Sequence, residues 1–177
     1  MTTVCTATPA TYSIRSANKN DIDLILSFIR ELASFEKLLH SVTATTAILL
    51  DSLFPEKNSP AAYAAFAYKK QEPVAMVLYY FNFSTFTGQR GLYLEDLFVL
   101  PKHRHQGLGT RLFAYLAKIA IDSQCSRFEW VVIDWNTHAR AFYQKMGANE
   151  HAEWILNRMS GKALVDLANS EGQISLE

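Results

Sequence analysis

The sequence predicts a single mixed α/β or α+β domain. Apolar residues switch between helical period and strand period along the chain. The elements read in the order strand, two helices, three strands, helix, strand, helix, strand. No repeat, linker or low-complexity segment interrupts that order.

Tyr12 to Arg15 reads as the first strand. Asn18 caps the helix that follows, with Asp21 three positions on as a capping-box variant. Ile22, Ile25, Ile29, Leu32 and Ala33 recur at helical spacing, carrying that helix to about Leu39. A second helix is expected from Thr43, with Ile48, Leu49 and Leu53 as its inner face. After a Pro55–Pro60 loop, Ala61–Lys69 and Pro73–Phe83 read as a hairpin joined through Lys70-Gln71-Glu72. Ser84–Arg90 is a polar connection, and Gly91–Leu100 is a strand stopped by Pro101. The helix from about Gly107 to Ser123 carries a stripe of Leu108, Leu112, Leu116, Ile119 and Ala120. Arg127–Asp134 is a strand, and Thr137–Met146 a helix that Gly147 ends. Within that helix Phe142 and Met146 are expected to face the core. Trp154–Met159 reads as a last strand and Lys162–Ala168 as a last helical turn or two.

With 177 residues the chain suits one domain, expected over 12–170, with loose tails at 1–11 and 171–177. Seventeen basic residues balance seventeen acidic ones, which argues against wholesale nucleic-acid binding but leaves room for a local anion site. Cys5 and Cys125 form neither a disulfide framework nor a zinc pattern, so a reduced, cytoplasmic setting is expected and no metal. Met1–Thr11 lacks the features of a signal peptide, and no apolar run reaches membrane-spanning length. His103 and His105 read as solvated loop residues.

The segment Arg104-His105-Gln106-Gly107-Leu108-Gly109-Thr110 joins a strand to a helix. Two glycines let the backbone approach a ligand closely. The unpaired N–H groups at the helix start suit phosphate, with Lys102 and Arg104 adding charge. The Lys-Ser/Thr pair of a mononucleotide loop and the third glycine of a dinucleotide fingerprint are both missing. A tight turn that merely uses glycine is the other reading. Asn136 lies where a strand meets a helix, a usual place for ligand contacts, although it also suits a plain cap. Tyr143 could face a cleft or be only an interfacial aromatic.

Arg104-x-x-Gly107-x-Gly109 resembles the R/Q-x-x-G-x-G/A signature of the GNAT acetyltransferase superfamily. Asn136-x-x-Ala139-x-x-Phe142-Tyr143-x-x-x-Gly147 resembles its second acetyl-CoA segment. Tyr79-Tyr80-Phe81, the run Leu92 to Val99, and Glu31-Leu32-Ala33-x-Phe35-Glu36 are similar to the diamine and thialysine acetyltransferase group. The resemblance runs from about Tyr12 to Ala168. It implies a mixed, mostly antiparallel sheet flanked by helices on both faces, acetyl-CoA as cosubstrate and a homodimer. Phe86 stands where the polyamine enzymes carry a tryptophan, and Glu150–Glu153 is shorter than in them.

The chemistry such enzymes perform sets demands on the residues. An alkyl ammonium has a pKa near ~10.4, so releasing the nucleophilic amine at pH 7 costs roughly 4–5 kcal/mol. A carboxylate or a water chain can take that proton. Strand alternation places Asp96 with Leu92, Leu94 and Phe98, and Glu95 with Tyr93, Leu97 and Val99. Two carboxylates in an apolar strand need either internal partners or a cationic ligand. By resemblance, Glu95 contacts the amine and helps position or deprotonate it, Asp96 supports it, and Phe35 and Glu36 lie on the substrate side. Leu97, Phe98 and Val99 line the coenzyme, Arg104 to Thr110 hold its phosphates, and Asn136 and Ala139 its arm. Tyr143 matches the acid that protonates the leaving thiolate. A protein or peptide acceptor, or a non-catalytic acyl-CoA sensor, remains open at this point.

Overall fold

A computed structural model describes residues 12–170. The expected tails, 1–11 and 171–177, lie outside the described residues. The chain divides into two compact units, one ending at Trp135 and the other starting at Asn136.

The first unit is a five-stranded sheet in the order β1-β2-β3-β4-β5. Its strands are β1 (Tyr12–Ser16), β2 (Tyr63–Lys69), β3 (Glu72–Ser84), β4 (Gln89–Val99) and β5 (Arg127–Trp130). Each neighbouring pair among the first four is antiparallel, and β5 runs parallel to β4. Lys70 takes a positive φ of 57° between β2 and β3, which makes a tight hairpin.

Asn18 forms the expected capping box with Asp21, on a single 3-10 turn that leads into α1 (Ile22–Phe35). The helix is shorter than its periodicity suggested, because the chain turns at Lys37, where φ is 63°. Thr45, not Thr43, caps α2 (Thr46–Leu53) by accepting from the Ile48 N–H. Ile48 faces outward at 56% exposed, while Leu53 is buried.

One face of the sheet is covered by α1 and α2. Ile22, Ile25, Phe28 and Leu53 pack with Phe66, Met76, Leu78 and Phe98. Phe28 meets Phe66 edge-on at 5.5 Å between ring centres. On the other face lies α3 (Leu108–Asp122), whose Phe113 sits 5.4 Å from Phe128 and 5.0 Å from Trp130. Helices therefore flank both faces, as the resemblance implied.

Two features of β4 depart from simple alternation. Leu78 pairs with Asp96 but Tyr79 pairs with Leu94, so Glu95 is the extra residue of a β-bulge. Adjacent β3 residues face opposite sides. Asp96 and Phe98 therefore share the α1 face, while Leu92 and Leu94 share the α3 face, unlike the alternation expected from sequence. The second feature follows at once: β5 pairs with Gly91–Leu94 only. Val131–Asp134, expected to extend the strand, leave it where β4 bulges away.

The second unit holds α4 (Thr137–Lys145) and α5 (Gly161–Ser170). Gly147 ends α4 with φ 90°, as read from sequence. Within α4 Phe142 is half-buried, but Met146, which follows the last residue of the helix, is exposed rather than in a core. Trp154–Met159 forms no strand, and Trp154 is 74% exposed. A strand needs a hydrogen-bonding neighbour, and no other strand lies among the described residues of this unit.

Candidate active site

The site in the first unit begins at the bulge. Past Leu94, β4 continues to Val99 with no β5 residue beside it. The Leu100 N–H donates to the Val74 carbonyl at 3.0 Å, so Leu100 points its main chain toward β3. By alternation, Phe98 does the same, whereas Leu97 and Val99 turn theirs toward the open side. Phe98 is buried in the core and offers that side neither main chain nor side chain.

Three carboxylates meet near this opening. Burial, then the charges of Glu95 and Glu36, pushes the half-buried Asp96 carboxyl up to about 6. Burial also raises Glu36, which follows the last residue of α1. Glu95 is exposed at the bulge. Its charge, with that of Glu129, acts on Tyr80, whose hydroxyl is raised chiefly by burial. None of the three carboxylates is in an ion pair with a cation among the described residues.

The glycine loop opens α3. Gly107 precedes the helix with φ 76°, and no side chain caps the helix. A methyl group built at Gly107 would meet nothing within 4 Å, so the loop faces open space. The N–H groups of Leu108, Gly109 and Thr110, in the first turn, thus lack the usual side-chain acceptor. Leu108 is buried and anchors that turn, while His105 bends the chain with φ 60°. The Gln106 amide donates to the Lys102 carbonyl at 3.1 Å and accepts from the Tyr12 hydroxyl at 2.8 Å.

The charges expected to assist this loop are engaged elsewhere. Lys102 pairs with Glu72. Arg104 Nε donates to the Val99 carbonyl at 2.9 Å, and its guanidinium lies over Phe35 and Phe98. His103 is only 5% exposed rather than solvated, because the 3-10 turn Pro101–His103 tucks its ring inward, 4.0 Å from Glu72. Of these, the cation stack had no sequence signal beyond aromatic residues far apart in the chain.

In the second unit, Asn136 Oδ1 accepts from the Ala139 N–H at 3.2 Å, the cap that its position suggested. Arg140 grips Glu150 through two hydrogen bonds of 2.9 and 2.7 Å. Burial raises the Tyr143 hydroxyl, so it stays protonated near neutral pH.

An uncapped helix start beside an open loop suits a diphosphate. The main chain of Leu97 and the Val99 N–H, beside which no β5 residue lies, suit an amide-bearing arm, which can bond to a strand edge; the Val99 carbonyl is held by Arg104. These residues fit coenzyme A. Residues 27–148 match the Acetyltransferase (GNAT) family.

The chain belongs to the GNAT acetyltransferase family. It is 38% identical over 170 residues to thialysine N-epsilon-acetyltransferase of Mus musculus, covering 90% of this chain and 98% of the relative. It is 32% identical over 168 residues to spermidine/spermine N(1)-acetyltransferase-like protein 1 of Homo sapiens, covering 90% of this chain and 24% of that protein. A solved integron cassette protein from V. cholerae, VCH_CASS6, superposes with a TM-score of 0.72 at 26% identity, over 89% of this chain and 97% of its own. The GNAT chain is an acetyl-CoA-dependent amine N-acetyltransferase. No helix among the described residues is long and apolar enough to cross a membrane.

Proposed function

We propose that this acetyltransferase modifies a primary amine of a small cationic acceptor, thialysine- or lysine-like or a di- or polyamine, by direct attack in a ternary complex. The observation that carries this reading is the gathering of Glu36, Glu95 and Asp96 where the open edge of β4 begins. Clustered carboxylates concentrate a cationic ligand. The likeness to the thialysine and spermidine/spermine acetyltransferases supports the same class.

In this reading Glu95 takes the proton from the ammonium, directly or through water. Asp96 and Glu36 hold the acceptor's charge, and Phe35 lines its stem. The freed nitrogen attacks the thioester carbon, whose oxygen gathers charge beside the Leu97 N–H. The C–N bond forms, the C–S bond breaks, and Tyr143 gives its proton to the departing thiolate; the excess proton left on the nitrogen then returns through water to the Tyr143 oxygen, giving the neutral amide. Val99, His105, Gln106, Gly107, Leu108, Gly109, Thr110, Asn136 and Ala139 hold the coenzyme. A covalent acyl-enzyme through Cys125 is disfavoured, because burial raises that thiol and thins its thiolate.

The enzyme is proposed to work in the cytoplasm as a homodimer, the state that its resemblance implies. Sedimentation would check the oligomer. Coenzyme A release measured across thialysine, lysine, diamines, polyamines and peptides tests the acceptor. Turnover confined to small cations supports the reading, and turnover of peptides alone overturns it.

A further inference from the structure

The first residue of the glycine-loop signature does not address the loop. Arg104 folds back along β4, with Nε donating to the Val99 carbonyl at 2.9 Å. The centre of its guanidinium lies 4.7 Å from the Phe35 ring and 5.3 Å from that of Phe98. Phe98 is fixed in the core, whereas Phe35 is 40% exposed at the end of α1. Phe35 also touches Phe98 at 6.4 Å and Trp135 at 5.9 Å between ring centres. An arginine plane clamped between a carbonyl and two rings is preorganised, and its partners move with it.

We propose that Arg104 is a positioning residue of the acceptor side. It ties Phe35 to β4 and so sets the wall against which the amine's stem lies. Cation and ring act as one unit: without Arg104 the part-exposed Phe35 keeps only its ring contacts to Phe98 and Trp135 and loses its tie to the β4 main chain. Acceptor selection by stem length then depends on a residue whose place in the sequence suggests phosphate binding. This inference rests on the proposed acceptor site at Phe35, Glu36 and Asp96.

The experiment compares wild type with Arg104→Gln, Phe35→Leu, their double variant and Asp96→Asn. It measures KM and kcat for diamines of increasing chain length, together with the Kd of coenzyme A by calorimetry at two salt concentrations. Expected for Arg104→Gln is a rise of about tenfold in acceptor KM, a changed ranking by chain length and a coenzyme Kd within about threefold of wild type. Phe35→Leu, which leaves the arginine in place, should reproduce the same split. The double variant should be no worse than the poorer single one, since residues that act as a unit are not additive. A coenzyme Kd weakened about tenfold, with a shallower salt dependence and an unchanged acceptor KM, would return Arg104 to the phosphates and overturn the proposal. If Phe35→Leu and Asp96→Asn raise the acceptor KM but Arg104→Gln does not, this proposal alone fails. If none of the three moves it, the acceptor site itself is misplaced.

Discussion

Glu95 and Asp96 are neighbours in sequence, yet only Asp96 has a partner across the sheet, Leu78. The bulge releases Glu95 from the ladder and turns Asp96 toward α1. One carboxylate is therefore exposed where β4 loses β5, and the other is half-buried beside the end of the first helix. The two environments ask for different tests.

Glu95→Gln removes charge and proton affinity while keeping shape. Turnover of a cationic diamine is expected to fall by about 10²–10³ in kcat/KM. A neutral-tailed amine of similar length should lose less, because only the charge attraction differs between the two. Equal losses for both would exclude charge attraction.

Asp96 links stability to pH. Its carboxyl moves from 3.8 to about 6 on folding. Across that window the folded protein keeps a proton that the unfolded chain has released, so stability falls as pH rises and levels off above about 6. The full effect is at most roughly 3 kcal/mol, at ~1.36 kcal/mol per unit. Asp96→Asn should flatten this dependence in urea titrations at pH 4 and pH 7.5. A variant that keeps the wild-type slope would clear Asp96 of the effect.

Tyr143→Phe deletes the proposed acid and keeps the ring. The expected fall in kcat is about 10²–10⁴, with coenzyme A affinity by calorimetry nearly unchanged. Substrates with more acidic thiol leaving groups should recover part of the loss. Wild-type turnover in the variant would remove Tyr143 from the chemistry.

Gly107→Ala probes the loop through backbone alone. The added methyl group meets nothing, but φ at this position is 76°. The left-handed conformation costs an L-residue roughly 1–2 kcal/mol. Relaxation toward negative φ would re-aim the first N–H groups of α3, so coenzyme A binding should weaken by about tenfold. Calorimetry and thermal melting measure the two effects separately, and unaltered affinity would show that the loop tolerates another shape.

Much of the site could be read from neighbours in sequence. Gly107 and Gly109 before an apolar stripe, Asn136 three residues ahead of Ala139, and Gly147 after Met146 are local devices whose geometry depends on a few adjoining bonds. The direction of Arg104 could not be read so, since Phe35 lies 69 positions earlier in the sequence and meets it only once α1 packs on β4. His103 reads as a loop residue by composition, and its burial comes from the turn closing against Glu72.

The amino-acid sequence alone determined the element order as far as α4, the capping box at Asn18, the hairpin at Lys70 and the glycine loop, because periodicity, caps and turns are set within a few residues. Tertiary structure alone decided the bulge at Glu95, the early end of β5 and the missing strand at Trp154–Met159. Register and strand pairing depend on which distant backbone supplies the opposite hydrogen bonds, and a single extra residue exchanges the two faces of everything beyond it.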